Sequence, residues 1–69
     1  MMMEKMIKIK GMHCRSCEML LKDSISEISG VEVLSADSRK GAVTVRYDQD
    51  KTLDSIHETI KKEGYRVIV

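Results

Sequence analysis

The sequence predicts an α+β fold, a ferredoxin-like βαββαβ sandwich with a four-stranded antiparallel sheet and two helices on one of its faces. Three observations predict it. Four short stretches carry strand alternation or strand composition, two longer ones repeat apolar residues at steps of three and four, and Gly11, Gly30, Gly41 and Gly64 punctuate the boundaries. Two crossover helices and one hairpin, in that order, fit this arrangement.

The first strand is read from Met6-Ile7-Lys8-Ile9-Lys10, where Ile7 and Ile9 point one way and Lys8 and Lys10 the other. Gly11 breaks it into a loop. From Arg15 the period becomes helical, with Leu21, Ile25 and Ile28 on one stripe and Gly30 as the stop signal. Val31 to Ala36 and Ala42 to Tyr47 form two strands of a β-hairpin whose turn runs from Asp37 to Gly41. After the polar loop Asp48 to Lys51, Thr52 is the expected cap of a second helix, with Leu53, Ile56 and Ile60 facing the core and Asp54 set for the helix dipole. Gly64 is its C-terminal glycine, and Tyr65 to Val69 is the last strand.

The 69 residues suffice for a single domain, 1–69, with residues 1–4 expected to be flexible. A dinucleotide-binding unit or an enclosed substrate cavity does not fit in such a core, whose net stability is about 3–5 kcal/mol. Twelve Lys and Arg against eleven Asp and Glu leave a charge of +1, which offers no general attraction to nucleic acid or to a membrane surface. No apolar run reaches the length of a membrane span, and the first residues lack the apolar core of a signal peptide, so a cytoplasmic protein is expected.

In that compartment thiols stay reduced, and the two cysteines, Cys14 and Cys17, indicate metal or redox chemistry rather than a structural disulfide. They lie three positions apart where a helix starts, which places their Cβ atoms about 5–6 Å apart on one face. With metal–sulfur bonds near ~2.3 Å, a linear two-coordinate ion needs sulfurs roughly 4.5 Å apart, within reach of this pair. Unpaired N–H groups at the helix start, with Arg15 alongside, favour the thiolate, which is the ligand form. Two soft thiolates suit Cu(I), whereas Zn(II) wants four ligands.

Gly11-Met12-x-Cys14-x-x-Cys17 after the first strand, Gly30-Val31 at the second, and Gly64-Tyr65-x-Val67 at the last together resemble the heavy-metal-associated domain family. Its members are soluble copper chaperones, the N-terminal metal-binding domains of copper- and zinc-transporting P-type ATPases, and mercury-binding proteins. The resemblance covers about residues 5–69. It implies metal thiolates at Cys14 and Cys17, a core-packed Met12 beneath the loop, and Tyr65 near the loop, the last being a prokaryotic feature. Two positions depart from the family pattern. His13 stands where Thr or Ser is common, and Glu18 where a small or apolar residue usually follows the second cysteine. Zinc and cadmium domains often carry Asp at the His13 position, so its absence leans towards Cu(I).

The resemblance thus implies a non-enzymatic Cu(I) chaperone that hands its ion by thiolate exchange to a copper-transporting P-type ATPase or its soluble metal-binding domain. A monomer without metal is expected, with a metal-bridged homodimer as a further state. Zn(II) or another soft metal is the alternative cargo. Alternative identities are an ATPase metal-binding domain, a mercury-binding protein and a dithiol redox protein; the leading methionines and the end flush with the last strand favour the free chaperone. The redox reading lacks a cis-proline, since the chain has no proline. An RNA-recognition module lacks its stacking aromatics, since Lys8, Lys10, Thr44 and Arg46 hold the sheet positions they would need.

Other residues admit plainer readings. His13 is read as a solvent-facing loop residue and His57 as a boundary residue of the second helix rather than as ligands. Met12 and Met19 are read as core or near-core packing, and Met1 to Met3 as a flexible end. Arg15, Lys61, Lys62 and Arg66 are either a basic rim around the loop or an ordinary solvated face.

Overall fold

A computed structural model describes residues 2–12 and 15–68, and in it the elements follow the expected order: β1 (Met3–Lys10), α1 (Arg15–Ser26), β2 (Val31–Asp37), β3 (Ala42–Tyr47), α2 (Asp50–Lys62) and β4 (Arg66–Ile68). The strands form one antiparallel sheet in the order β2-β3-β1-β4. Alternation sets which face is buried. Ile7 and Ile9 of β1 are 3% exposed while Lys8 and Lys10 beside them are exposed, because one sheet face lies under both helices and the other meets solvent.

One apolar cluster joins the layers. Leu21 and Ile25 of α1, Ile56 and Ile60 of α2, and Val43 and Val45 of β3 are fully buried, each burial contributing about 1.5–3 kcal/mol. Ile28, Leu53 and Val67 pack against its margin. The helical stripes read from the sequence are therefore the faces the helices bury.

Five boundaries or side chains differ from expectation. β1 begins at Met3 rather than Met6, since Met3 and Glu4 pair with Tyr47 and Arg46, and the Glu4 carboxylate lies 3.7 Å from the Arg46 guanidinium. α1 ends at Ser26, four residues before Gly30, and the Ile28 N–H donates to the Ile25 carbonyl at 3.0 Å as the last turn tightens. Thr52 does not cap α2. The cap position is Gln49, without a side-chain bond, and Thr52 lies one turn inside, its hydroxyl 3.5 Å from Asp48 Oδ1. Asp50, not Asp54, is the acidic residue of the first turn. Met19 is 61% exposed rather than near-core, because it follows Cys17 by two positions and so falls outside the stripe of Leu21 and Ile25.

The β2–β3 connection is stapled from within. Asp37 Oδ1 accepts the N–H of Arg39 at 2.9 Å and that of Lys40 at 3.3 Å, an Asx turn that fixes the tip of the hairpin. A bulge between Val33 and Ser35 leaves Leu34 without a partner in the β2–β3 register. No helix among the described residues is long and apolar enough to cross a membrane.

Candidate metal centre

The site lies where β1 gives way to α1. Gly11 leaves the strand at φ +105°, a conformation disfavoured for residues with a Cβ, and Met12 follows with only 4% of its surface exposed. A methionine thus anchors the near side of the loop in the core, as the family resemblance implies. The expected ligand Cys14 and its neighbour His13 lie outside the described residues. Cys17 is the third residue of α1, half-buried, with its side chain packed against the core cluster. The first turn of a helix is where unpaired backbone N–H groups point at a thiolate.

Tyr65 closes the site from the opposite side. Lys10 pairs with Arg66 across β1 and β4, so continuation of that register brings Tyr65 opposite Gly11. A Cβ built on Gly11 would stand 3.3 Å from the Tyr65 ring at Cδ1, so the glycine makes room for the ring as well as for the turn. Tyr65 is itself delivered by the end of α2. Its N–H donates to the Ile60 carbonyl at 3.2 Å while the Gly64 N–H donates to the Lys61 carbonyl at 3.0 Å, with Gly64 at φ +91°. These two bonds make a complete Schellman motif.

The same end of the sandwich carries exposed positive charge. Arg15 opens α1, Lys61 and Lys62 occupy the last turn of α2, and Arg66 begins β4. His57 is half-buried on α2, as a boundary residue should be, and it borders a groove with Lys5, Ile7 and Val67. Among the described residues no three His, Cys, Asp or Glu side chains gather in one place.

One residue beside the site does more than its sequence suggests. Glu18 follows Cys17 in the first turn, and its Oε2 accepts the backbone N–H of Ser38 at 2.6 Å, reaching across to the hairpin tip. The hydroxyl and backbone N–H of Ser38 hold the Glu18 carboxyl below the usual carboxylate value, outweighing desolvation and the nearby Asp37 charge. An open cleft of about 470 Å³ between α1 and the hairpin tip is lined by Arg15, Glu18, Ala36, Asp37, Ser38 and Arg39. In the sequence Glu18 stands out only as a departure from the family pattern. Its partner lies 20 residues away, beyond the reach of any local motif.

The family model of the heavy-metal-associated domain matches residues 6–66. Copper chaperone CopZ of Bacillus subtilis (strain 168) is 31% identical over 67 residues, which make up 96% of this chain and 97% of that protein. The solved structure of the CsoZ metallochaperone superposes with a TM-score of 0.89 at 30% identity, covering 100% of both chains. The water-soluble region of the P-type ATPase CopA from Bacillus subtilis superposes with a TM-score of 0.87 at 27% identity, over 99% of this chain and 46% of that one. Because that family match spans residues 6–66, nearly the whole chain, the chain belongs to the heavy-metal-associated domain family.

Proposed function

We propose that this protein is a cytoplasmic metallochaperone that carries Cu(I) on the thiolates of Cys14 and Cys17 and releases it to a partner by ligand exchange. The observation that carries the reading is the likeness to copper chaperone CopZ over nearly the whole of both chains. The placement of Cys17 in the first turn of α1 supports it, since backbone N–H groups there stabilise a thiolate without supplying a third ligand. Cu(I) is cargo, and the chemistry is exchange rather than catalysis.

An ion held by two sulfurs at a surface loop has coordination space left for an incoming thiolate. Attack by a partner thiolate gives three-coordinate Cu(I), one of the two cysteines departs, and a second exchange completes the transfer with the ion bound throughout. The fold match to the soluble region of CopA supports a copper-transporting P-type ATPase domain as recipient. Arg15, Lys61, Lys62 and Arg66 offset the negative charge of a bis-thiolate Cu(I) centre at that end of the molecule. The same match favours a second reading, that the chain serves as the metal-binding domain of such an ATPase. The intact mass of the polypeptide in its source cells separates the two.

An anaerobic competition titration of the reduced protein with Cu(I) and Zn(II), each against a chromophoric chelator, tests the reading, with size exclusion following assembly. Cu(I) held at one per chain, or one per two chains in a thiolate-bridged dimer, and retained in excess Zn(II) is the expected result. Cys14→Ser or Cys17→Ser should each weaken Cu(I) binding by more than about a thousandfold, or ~4 kcal/mol. His13→Ala should have a modest effect. Zn(II) competing on equal terms overturns the copper assignment, and a His13 effect as large as a cysteine effect overturns the two-ligand site.

A further inference from the structure

We propose that Glu18 is a positioning residue for the metal site: its carboxylate ties the first turn of α1 to the β2–β3 turn and so fixes where Cys17 presents its sulfur. The inference rests on the reading of Cys17 as a metal ligand.

α1 is held unequally along its length. Leu21 and Ile25 are wholly buried and fix the middle and C-terminal turns by packing. The first turn is held less deeply, for Arg15 and Ser16 are exposed and Cys17, though packed against the core cluster, is half-buried like Glu18. Glu18 adds a tie from outside the core, to the hairpin tip. Its 2.6 Å bond to the Ser38 N–H is short, with a charged acceptor, and belongs to the stronger class of hydrogen bonds. The far end of the tie is held as well, because Asp37, just before Ser38, accepts the N–H groups of Arg39 and Lys40, which follow it in the same turn.

Neighbours on a helix are separated by about 100° of rotation, so a turn fixed at Glu18 is fixed at Cys17. Two-coordinate binding depends on the placement of both sulfurs, and a ligand whose support is lost must be re-ordered each time the ion binds. Two other roles for Glu18 make opposite forecasts. If the carboxylate acted through its charge beside the thiolates, removing that charge would strengthen Cu(I) binding. If it served stability alone, any comparable tie on α1 would matter equally, and Ser24, whose hydroxyl donates to Glu63 at 2.9 Å, provides one.

The test compares the reduced full chain with Glu18→Gln, Glu18→Ala and Ser24→Ala. Cu(I) affinity is read by chelator competition and the tie by amide exchange at Ser38. Alkylation of Cys17 in the metal-free protein, in a Cys14→Ser background, reports on the sulfur itself. Glu18→Ala should lower Cu(I) affinity roughly tenfold or more, as loss of support behind a metal ligand does, and should speed exchange at Ser38 and change the alkylation rate. Glu18→Gln should stay within about threefold, since its amide oxygen makes a weaker form of the same bond. Ser24→Ala should leave Cu(I) affinity and Cys17 alkylation unchanged. Tighter binding in both Glu18 variants, an unchanged Glu18→Ala, or a Ser24→Ala that matches it would each overturn the proposal. If Cys17→Ser itself retains Cu(I), the site reading falls and this inference with it; if Cys17→Ser loses Cu(I) while Glu18→Ala keeps it, the inference alone falls.

Discussion

The two helices bury similar stripes into one core and differ at their ends. α2 completes itself: Asp50 stands in its first turn, Lys61 and Lys62 in its last, and Gly64 and Tyr65 close it with two backbone bonds. Each feature complements the helix dipole or satisfies a terminal carbonyl. α1 is less complete. Its first turn holds the cation Arg15 together with the acid Glu18, and its last turn has no basic residue. A cation at a helix start opposes the dipole, yet it adds positive potential beside Cys17, which favours a thiolate. The difference teaches that α2 is completed by its own residues, whereas the start of α1 keeps a cation beside Cys17 and leans on the hairpin tip through Glu18.

The comparison breaks most readily in the core. Leu21 of α1 and Ile60 of α2 are both fully buried, so Leu21→Ala and Ile60→Ala should each destabilise the metal-free protein by about 2–5 kcal/mol in denaturant unfolding. Similar losses would place the contrast between the helices at their ends. A Leu21→Ala loss below about 1 kcal/mol would mean that α1 is loosely docked along its whole length, and the contrast would then be one of packing.

The helical stripes were legible in the sequence because core packing obeys the 3.6-residue period, and nothing competes with Leu21, Ile25, Ile56 and Ile60 for the buried positions. Ile7 and Ile9 declared the buried face of β1 in the same way. The ends were harder to read. Thr52 has the chemistry of a cap, but α2 starts two residues earlier at Asp50, after Gln49, which takes the cap position without a side-chain bond. Met3 and Glu4 join β1 because β3 is long enough to pair with them, a fact that lies some 40 positions along the chain. Of the site, Gly11, Met12, Cys17 and Tyr65 carry a recognisable pattern. Glu18 does not, since a carboxylate acquires a partner such as Ser38 only when the chain has folded.

Two glycines sharpen the contrast at lower energy. Gly64, at φ +91°, has nothing within 4 Å of a built Cβ, so Gly64→Ala should cost only the backbone strain of about 1–2 kcal/mol. Gly11, at φ +105°, adds the Tyr65 ring at 3.3 Å. Gly11→Ala should therefore destabilise the metal-free protein more than Gly64→Ala, and it alone should weaken Cu(I) binding, because the ring and the loop must separate. Equal thermal midpoints for the two variants would show that Tyr65 yields without cost and does not brace the loop.

The smallest effect concerns acid. Ser38 holds the Glu18 carboxyl below its ordinary value of 4.5, so the folded chain binds that proton more weakly than the unfolded chain does. The stability contributed by the charged tie is then fully present above the ordinary value and is lost as pH falls through the lower folded value. Glu18→Gln keeps a neutral bond and has no such titration. The stability margin of the metal-free wild type over Glu18→Gln should accordingly narrow between pH 7 and about pH 3, read as denaturant midpoints, and narrow little because the carboxylate lies beside an open cleft where solvent screens it. A margin that stays constant with pH would mean that Ser38 and Glu18 part in solution. The first turn of α1 would then be fixed by Cys17 packing on the core, and the two helices would differ in their charges while sharing one kind of anchor.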